Sequence, residues 1–207
     1  MLRREYTGIP LLEESVSPNP IDQFRFWFDE ALKIIKDDPN AMLLSTVDSS
    51  GQPSSRTVLL KGFGEDGFIF YTNYKSRKGL HIDANPQVSL TFYWPELMRQ
   101  IHIEGRAKKI SEKQSDDYFR LRPDASKIAA LASSQSSELK SRAELEQRRD
   151  RLKVKYKGGN IPRPPHWGGY IIKHERVEFW QGRLNRLHDR ICYTFDGKQW
   201  NTQRLAP

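Results

Sequence analysis

The chain has 207 residues, with 34 Lys and Arg against 26 Asp and Glu, a formal net charge of +8 and a single cysteine. This length is enough for one domain with a substantial core, and one cysteine excludes an intramolecular disulfide framework or a multi-cysteine metal site. No apolar run approaches the ~20 residues that span a bilayer, and the amino terminus lacks the apolar segment of a secretory signal. We therefore expect a soluble cytoplasmic protein with no membrane contact, whose positive charge favours anionic ligands.

The first half of the chain is predicted to be an arm followed by a helix and a β-meander. Residues 1–17 are polar and unpatterned and are interpreted as a mobile arm, with a single domain over residues 18–207. Pro18-Asn19-Pro20 precedes apolar residues at helical spacing, which predicts a helix that stops near Asp38-Pro39. Short β-branched or aromatic runs separated by turn residues then predict strands. The strands are expected at 42–47, 55–60, 68–71, 88–94 and 99–110, with a short helix at 76–85.

The second half begins with helices and returns to strands. Ser111-Glu112-Lys113-Gln114 fits a capping box, and the helix that it starts must break at Pro123. Two more helices are predicted at 125–132 and 141–156, and strands at 170–173, 177–180, 191–195 and 199–203. Many short strands in hairpins, with helices inserted between them, predict an antiparallel β-barrel of the α+β class.

Two segments place cations beside hydroxyls or aromatic rings where predicted strands end. The first is 56–61, which carries a cation at each end, and the second is 71–78. Ser76 can cap a helix whose first turn carries Arg77 and Lys78. Cations are unfavourable at a helix amino terminus unless an anion also binds there. This arrangement favours a bound phosphate, with solvated surface charge as the alternative.

Two further segments could recognise an anion. Tyr118 and Arg122 are four residues apart and are predicted to share a helical face, while Ser126 opens the next helix. A phenol, a guanidinium and a hydroxyl can converge on one phosphate. Near the carboxyl end, 177–190 combines tryptophan, arginines and His188 around a loop. No set of His, Cys and carboxylates has metal-ligand spacing, so no metal site is predicted.

Taken in order, these segments resemble the pyridoxine (pyridoxamine) 5′-phosphate oxidase family of flavin enzymes. The resemblance runs nearly end to end, and it depends on the ordered co-occurrence of motifs rather than on any one of them. The motifs are R-R-E-Y at 3–6, R-T-V-L-L-K at 56–61, F-Y-T-N-Y-K-S-R-K at 70–78, R-Q at 99–100, Y-F-R-L-R-P-D-A-S at 118–126, S-S-Q-S-S at 133–137, W-G-G-Y at 167–170, V-E-F-W-Q-G at 177–182, R-L-H-D-R at 186–190 and R-L-A-P at 204–207.

The resemblance implies a homodimeric FMN-binding split β-barrel with an active site at the subunit interface. The residues implied to bind FMN are Arg56, Thr57, Val58, Leu59, Leu60, Lys61, Tyr71, Thr72, Arg77, Lys78, Gln100, Gln135, Ser136, Trp180 and Arg190. Trp180 and Arg190 are implied to reach across the interface. The residues implied to bind substrate are Arg3, Arg4, Glu5, Tyr6, Lys61, Tyr118, Arg122, Ser126, Arg186 and His188. The catalytic residues among these are implied to be Arg186 and His188.

The reaction implied by the resemblance is oxidation of pyridoxine or pyridoxamine 5′-phosphate to pyridoxal 5′-phosphate, with hydride transfer from C4′ to flavin N5 and reduction of O2 to H2O2. Two alternatives stay open: a non-enzymatic nucleic-acid-binding protein and a split-barrel flavin reductase. The basic segment 140–155 interleaves carboxylates, as solvated helix faces do, which argues against nucleic acid as a partner. The group of Tyr118, Arg122 and Ser126 argues against a reductase, because FMN has other phosphate ligands.

Overall fold

The computed structural model describes residues 5–207, so Arg3 and Arg4 lie outside the described residues. Its helices are α1 (Pro20–Ile34), α2 (Arg77–Ala84), α3 (Glu112–Leu121), α4 (Asp124–Ala132) and α5 (Arg142–Lys155). Its strands are β1 (Ala41–Val47), β2 (Pro53–Leu59), β3 (Gly62–Gly64), β4 (Gly67–Asn73), β5 (Gln87–Trp94), β6 (Arg99–Lys109), β7 (Trp167–Gln181), β8 (Asp189–Phe195) and β9 (Trp200–Arg204). Over this range no helix combines the length and apolarity needed to cross a membrane.

The strands form one curled antiparallel sheet in the order β2-β1-β5-β6-β7-β4-β3, with β8 paired to β7 and β9 paired to β8. The long strand β7 pairs with β4 through its first half and with β8 through its second half. A bulge opposite Glu104 and Gly105 bends β7 between these halves. A Cβ atom on Gly105 would lie 2.1 Å from the Lys173 carbonyl oxygen, so the bend requires glycine there. The predicted α+β antiparallel barrel is confirmed.

Three predicted boundaries differ from the structure. The strands expected at 170–173 and 177–180 are one strand, β7, because the polar run between them sits at the bulge and keeps its pairing. The first helix ends at Ile34 rather than near Asp38-Pro39, and the following Asp38 has a φ of 47°. The three-residue strand β3 was not predicted, since its Gly-Phe-Gly sequence carries no alternation.

The core lies between α1 and the inner face of the sheet. Phe24 of α1 contacts the rings of Phe63, Phe68 and Phe92, and every one of these contacts has centroids within 5.2 Å. Strand residues alternate, so that inward side chains are buried while Leu43 and Tyr93 on the outer face are 43% and 52% exposed. The sheet therefore has one packed face and one partly apolar outer face.

Residues 5–17 pack against the carboxyl end of the chain. Leu11 is buried, and its carbonyl accepts a hydrogen bond from Arg204 at 2.8 Å. Arg204 also pairs with Glu13 at 2.7 Å. These contacts place the segment beside β8 and β9, while its predicted mobility stays a prediction.

Candidate active site

A cavity of about 780 Å³ opens beside the free edge of β2, and we call it the cavity from here on. Its walls come from β2, β4, the start of α2, the α3–α4 junction and the loop after α4. The lining residues are Ser54, Ser55, Arg56, Thr57, Val58, Leu59, Lys61, Tyr71, Thr72, Arg77, Lys78, Tyr118, Arg122, Pro123, Ser126, Gln135 and Ser136. Small-molecule sites have volumes of about 300–1,000 Å³, so the cavity can hold a cofactor-sized ligand.

Most of the residues predicted to bind FMN line the cavity. The residues predicted to bind the substrate phosphate, Tyr118, Arg122 and Ser126, line it too. Residues of both parities of β2 reach the cavity because β2 pairs only with β1, which leaves its other edge open. Leu60 does not line it, since its side chain is only 4% exposed and belongs to the core. Seven other predicted site residues in the described part of the chain also lie outside the lining: Glu5, Tyr6, Gln100, Trp180, Arg186, His188 and Arg190.

The charged side chains that line the cavity, among the described residues, are all positive. Five cations line it, Arg56, Lys61, Arg77, Lys78 and Arg122, and the lining drawn from residues 5–207 includes no Asp or Glu. None of the five forms an ion pair with any carboxylate in the described part of the chain. Nor does that part contain a group of three or more His, Cys, Asp or Glu arranged to hold a metal ion. The cavity is therefore suited to an anion and not to a cation.

Lys78 is the most deeply buried of these cations. Its Nζ donates to Thr72 Oγ1, Ser76 Oγ and Gln135 Oε1, each at 3.3 Å. Burial, together with the positive charge of nearby Arg56, lowers the pKa of Lys78 to about 8. Its hydrogen-bond partners are all neutral oxygen atoms, so its charge is left for a ligand to balance.

The helix that carries Lys78 begins as the sequence predicts. Ser76 caps α2, and its side chain accepts a hydrogen bond from the Gly79 N–H. A Cβ atom on residue 79 would lie 2.1 Å from the Tyr74 carbonyl oxygen, so glycine is required for this tight first turn. The positive end of the helix dipole and two cations therefore meet at one wall of the cavity, which favours a phosphate.

Arg56 is held by hydroxyl and carbonyl oxygens rather than by a carboxylate. Its Nη1 donates to Thr46 Oγ1 at 2.7 Å and to the Leu44 carbonyl at 3.2 Å, and its Nη2 donates to Ser54 Oγ at 2.8 Å. Burial lowers the pKa of Arg56, and nearby Arg77 lowers it further. The guanidinium keeps its charge, since its pKa starts far above neutrality.

The group formed by Tyr118, Arg122 and Ser126 is assembled differently from the prediction. Arg122 does not share a helical face with Tyr118, because it caps α3 in an extended conformation with φ −70° and ψ 147°. A residue before proline is pushed out of the helical region, and Pro123 follows. All three residues nevertheless line the cavity, and Arg122 Nη2 donates to the Ser126 carbonyl at 3.2 Å.

A second group of predicted site residues lies outside the cavity, on β6, β7, β8, the β7–β8 connection and the amino-terminal segment. The Trp180 and His188 rings are 4.6 Å apart, and the Tyr6 ring meets them edge-on at 5.6 and 5.3 Å. Gln100 lies directly opposite Trp180 in the sheet. We call this group the carboxyl-terminal cluster: Tyr6, Gln100, Trp180, Arg186, His188 and Arg190. The preceding Glu5 is exposed.

His188 has a defined hydrogen-bonding role in this cluster. Its Nδ1 lies 3.1 Å from the Arg183 backbone N–H and accepts from it, so the neutral ring carries its proton on Nε2. Burial and the charge of Arg186 lower the pKa of His188, which favours that neutral ring. Arg186 is exposed, and its φ of 62° lies in the left-handed region. Such conformations in a non-glycine residue are concentrated at functional sites.

Arg190 has a partner that the sequence analysis missed. Its Nε and Nη2 donate to the Glu178 carboxylate at 2.8 and 3.0 Å, and its Nη1 donates to the Ala206 carbonyl at 2.8 Å. Burial alone would raise the pKa of Glu178, but hydrogen bonds from Arg190 and Arg176 lower it overall. The available signal was strand alternation, which puts Glu178 on the same face as Trp180.

The cavity and the carboxyl-terminal cluster share the outer face of the sheet. Thr57 on β2 is paired with Leu43 on β1, which is paired with Thr91 on β5. The same row continues through β6 and β7, and the next row on this face contains Gln100, Trp180 and Arg190. The face between the two groups exposes Leu43 and Tyr93. One molecule covering this face would contact both groups.

Two family models match the chain. Residues 28–156 match the model described as pyridoxamine 5′-phosphate oxidase, and residues 167–207 match that of the pyridoxine 5′-phosphate oxidase C-terminal dimerisation region. The chain belongs to the pyridoxine/pyridoxamine 5′-phosphate oxidase family. The second match contains Trp180, Arg186, His188 and Arg190, that is, most of the carboxyl-terminal cluster.

Curated relatives with this oxidase name align along the whole chain. The protein from Rubrobacter xylanophilus is 54% identical over 100% of this chain and 95% of its own length. The protein from Bordetella pertussis is 52% identical over 100% of this chain and 98% of its own length. Membership of this oxidase family makes the chain an enzyme, an oxidoreductase, and excludes the non-enzymatic nucleic-acid-binding alternative.

Solved structures agree on the fold. PhzG from Burkholderia lata 383, solved in complex with tetrahydrophenazine-1-carboxylic acid, has a TM-score of 0.91 and 32% identity, covering 97% of this chain and 100% of PhzG. A pyridoxamine 5′-phosphate oxidase-related, FMN-binding protein from Nostoc punctiforme has a TM-score of 0.72, covering 93% of this chain and 99% of its own. At 19% identity the second likeness concerns the fold alone.

Proposed function

We propose that the enzyme oxidises pyridoxine 5′-phosphate or pyridoxamine 5′-phosphate to pyridoxal 5′-phosphate with FMN as its cofactor and O2 as the electron acceptor. The observation that carries this proposal is the cavity, in which five cations lie without a carboxylate partner among residues 5–207. Substrate and cofactor each carry a phosphate, and the five cations fall into two groups that can each take one.

The residues around the start of α2 fit the phosphate of FMN. Arg56, Arg77, Lys78 and the amino terminus of α2 are the donors, and buried Lys78 lacks a counter-charge. Phosphate binding at a helix amino terminus combines backbone N–H donors with the helix dipole. Bound FMN would supply a hydride acceptor at N5 for the C4′ hydrogen of the substrate and would return the electrons to O2 as H2O2.

The second group fits the phosphate of the substrate. Tyr118, Arg122 and Ser126 also line the cavity, with Lys61 available from the end of β2. A guanidinium with a phenol and a hydroxyl beside it binds a phosphate through charge-assisted hydrogen bonds. A flavin reductase has no use for this second anion site, so the geometry favours the oxidase.

The carboxyl-terminal cluster would complete the active site in a homodimer. In a two-fold dimer formed through the outer face of the sheet, each subunit's Trp180 and Arg190 would contact the flavin in the other subunit's cavity. The match of residues 167–207 to a dimerisation region and the exposed Leu43 and Tyr93 support this arrangement. Tyr6, against Trp180 and His188, would cover the bound substrate.

Arg186 and His188 would orient the pyridine ring. Because Nδ1 of His188 already accepts a hydrogen bond, the neutral ring can only donate, through Nε2–H. It would therefore hold an oxygen or ring acceptor of the substrate, while the Arg186 guanidinium stabilises negative charge that develops as the C4′ substituent loses its proton. Both groups are placed as orienting donors rather than as bases.

Turnover of the FMN-loaded protein tests the proposal. Pyridoxine 5′-phosphate and pyridoxamine 5′-phosphate are each supplied in air, and pyridoxal 5′-phosphate and H2O2 are measured together. The proposal predicts equal amounts of the two products and a yellow, dimeric protein. A protein that turns over neither substrate but whose flavin is bleached by a nicotinamide donor would be a flavin reductase, and the proposal would be wrong.

A further inference from the structure

The W-G-G-Y segment that starts β7 lies directly behind the proposed substrate-phosphate site. The Arg122 guanidinium carbon is 4.6 Å from the centroid of the Trp167 ring. The Trp167 ring is nearly parallel to the Tyr71 ring, at 5.4 Å and 13°, and Tyr71 in turn stacks on Tyr118 at 3.8 Å. Trp167 thus contacts the arginine and supports the aromatic stack that carries the phenol.

Arg122 has few other restraints. Its backbone leaves the helix before Pro123, and Nη2 donates to the Ser126 carbonyl. Within residues 5–207 its other N–H groups have no hydrogen-bond acceptor and no carboxylate pairs with it. Burial lowers the pKa of Arg122, which remains charged. Its guanidinium carbon also lies 5.9 Å from the centroid of the Phe119 ring, a longer contact than that to the indole. Without the indole, this long side chain could adopt several rotamers.

Trp167 itself is rigidly held. Its side chain is 5% exposed, and its carbonyl accepts a hydrogen bond from Arg163 Nη1 at 2.7 Å. The Nε of the same arginine donates to Asp116 of α3 at 2.6 Å. A Cβ atom on Gly168 would lie 2.1 Å from the Tyr74 hydroxyl, so the glycine lets β7 approach closely. The hydrogen bonds tie the Trp167 backbone to α3, the helix that Arg122 caps, and the indole meets Phe119 of that helix edge-on at 5.1 Å.

We propose that Trp167 is a positioning residue for substrate recognition: its ring face holds the Arg122 guanidinium so that the remaining N–H groups point at the substrate phosphate. The inference rests on the proposed function, since it assigns the phosphate to Arg122. Tryptophan gives the strongest cation–π attraction of the aromatic residues, and the attraction grows when the pair is shielded from water. Phenylalanine keeps part of it and leucine keeps none.

The test compares Trp167→Leu, Trp167→Phe and the matched control Trp200→Leu. Trp200 is a partly buried tryptophan that stacks on His174, whereas Trp167 contacts Arg122 and Tyr71 of the cavity lining. We expect Trp167→Leu to raise KM for pyridoxine 5′-phosphate about 5- to 30-fold, which corresponds to about 1–2 kcal/mol. We expect kcat, FMN content and the rate with unphosphorylated pyridoxine to change less than about two-fold, and Trp167→Phe to restore most of the affinity.

A double-mutant cycle with Arg122→Ala separates positioning from a general structural effect. Equilibrium titration of the FMN-loaded protein with pyridoxal 5′-phosphate gives the readout without turnover. If Trp167 acts mainly through Arg122, Trp167→Leu weakens binding in the wild-type background and has a much smaller effect in the Arg122→Ala background, where only its support of the Tyr71–Tyr118 stack remains. Equal effects in both backgrounds, or loss of FMN and thermal stability in Trp167→Leu with no rescue by phenylalanine, would overturn the inference.

Failure of the proposed function gives a different result. If Arg122→Ala itself changes binding of the phosphorylated and unphosphorylated ligands equally, then the phosphate assignment is wrong, whatever Trp167→Leu does. If Arg122→Ala weakens binding of the phosphorylated ligand only, and Trp167→Leu binds that ligand as tightly as the wild type does, the proposed function stands and the role of Trp167 is overturned.

Discussion

The cavity and the carboxyl-terminal region surround their cations differently. Within residues 5–207, none of the five cavity cations pairs with a carboxylate. Among the five arginines of residues 167–207, four pair with at least one carboxylate: Arg176, Arg183, Arg190 and Arg204. A half-buried charge without a partner is costly to a fold, whereas a paired one can stabilise it. The comparison separates cations whose charge is left for a ligand from cations whose charge the fold already balances; Arg190, also proposed to contact the flavin, is one of the latter.

Arg186 is the exception in the carboxyl-terminal region. It forms no ion pair within the described residues, it is exposed, and its backbone is strained at a φ of 62°. Because Arg186, like the cavity cations, has no carboxylate partner among the described residues, we expect it to bind a ligand. This agrees with the substrate role that the sequence resemblance implies. Each prediction below tests one side of this comparison.

Arg122→Ala should give the largest effect. A charge-assisted hydrogen bond contributes about 1.5–3 kcal/mol, so kcat/KM for pyridoxine 5′-phosphate should fall about 10- to 150-fold. The rate with pyridoxine, which has no phosphate, should barely change, and FMN content should be kept, since other cations hold that phosphate. Steady-state kinetics with both substrates measure this ratio. Equal losses for the two substrates would place Arg122 among the structural arginines instead.

Glu178→Gln should instead destabilise the fold. The carboxylate is buried and accepts hydrogen bonds from Arg176 and Arg190, so its neutralisation leaves Arg190 without a counter-charge and Arg176 with only the exposed Glu104. We expect the free energy of unfolding to fall by about 2 kcal/mol in urea titrations at a fixed protein concentration. Glu104→Gln is the matched control, because Glu104 pairs with Arg176 but is about half exposed, and such pairs contribute about 0–1 kcal/mol. Equal losses of unfolding free energy from Glu178→Gln and Glu104→Gln would contradict the view that the buried ion pairs of this region stabilise the fold.

Arg186→Ala should slow the chemistry without removing the cofactor. If the exposed guanidinium orients the substrate ring, the rate of flavin reduction in a single turnover should fall about ten-fold, the lower end of the range for a charged hydrogen bond. FMN content should stay near that of the wild type. His188→Ala should behave in the same way. A variant that loses flavin but reduces the remaining flavin at the normal rate would move the residue to the cofactor site.

The pH dependence of FMN affinity should give an effect no larger than that of Arg186→Ala. Burial lowers the pKa of Lys78 to about 8, and binding of a phosphate dianion requires the protonated amine. The dissociation constant of FMN should therefore increase about ten-fold between pH 7 and 9.5, with a proton taken up on binding above pH 8. In the unliganded protein, Lys78 makes the free energy of unfolding rise with pH. Between about pH 8 and 10.5 the unfolded chain binds more protons at Lys78 than the folded chain does, so the folded state becomes more stable as pH rises.

Lys78→Met is the control for this pH profile, because it removes the titrating amine and leaves the other cavity cations in place. The variant should bind FMN weakly at every pH and lose the dependence above pH 8. An unchanged slope in Lys78→Met would show that another group titrates with the cofactor.

Much of the fold could be predicted because it follows from local patterns. The serine cap of α2 and the break at Pro123 depend on nearest neighbours, and the alternating strands depend on period two. The merger of two expected strands into β7 could not be predicted, because a bulge is set by the partner strand. Pro123, which ends α3, also moves Arg122 off the helical face of Tyr118, and the prediction of a shared face did not take this into account.

The candidate site was only partly accessible to sequence reasoning. Residues near each other in the chain, such as Ser76 and Lys78, show their anion chemistry in the sequence. The Glu178–Arg190 pair joins two strands, and the Trp167–Arg122 contact joins residues 45 positions apart, so neither has a local signal. The assembly of cavity and carboxyl-terminal cluster into one site depends on a second copy of the chain and came from the family resemblance.

Titration of the FMN-free protein with FMN and with riboflavin tests the central claim most directly, because the two ligands differ only in the phosphate. If the unpaired cavity cations bind that phosphate, FMN should bind about 100-fold more tightly than riboflavin or better, as two charged hydrogen bonds would give. Lys78→Met should reduce this ratio about ten-fold. Equal affinities for FMN and riboflavin would contradict the account, since the cavity cations would then have no role in holding the cofactor.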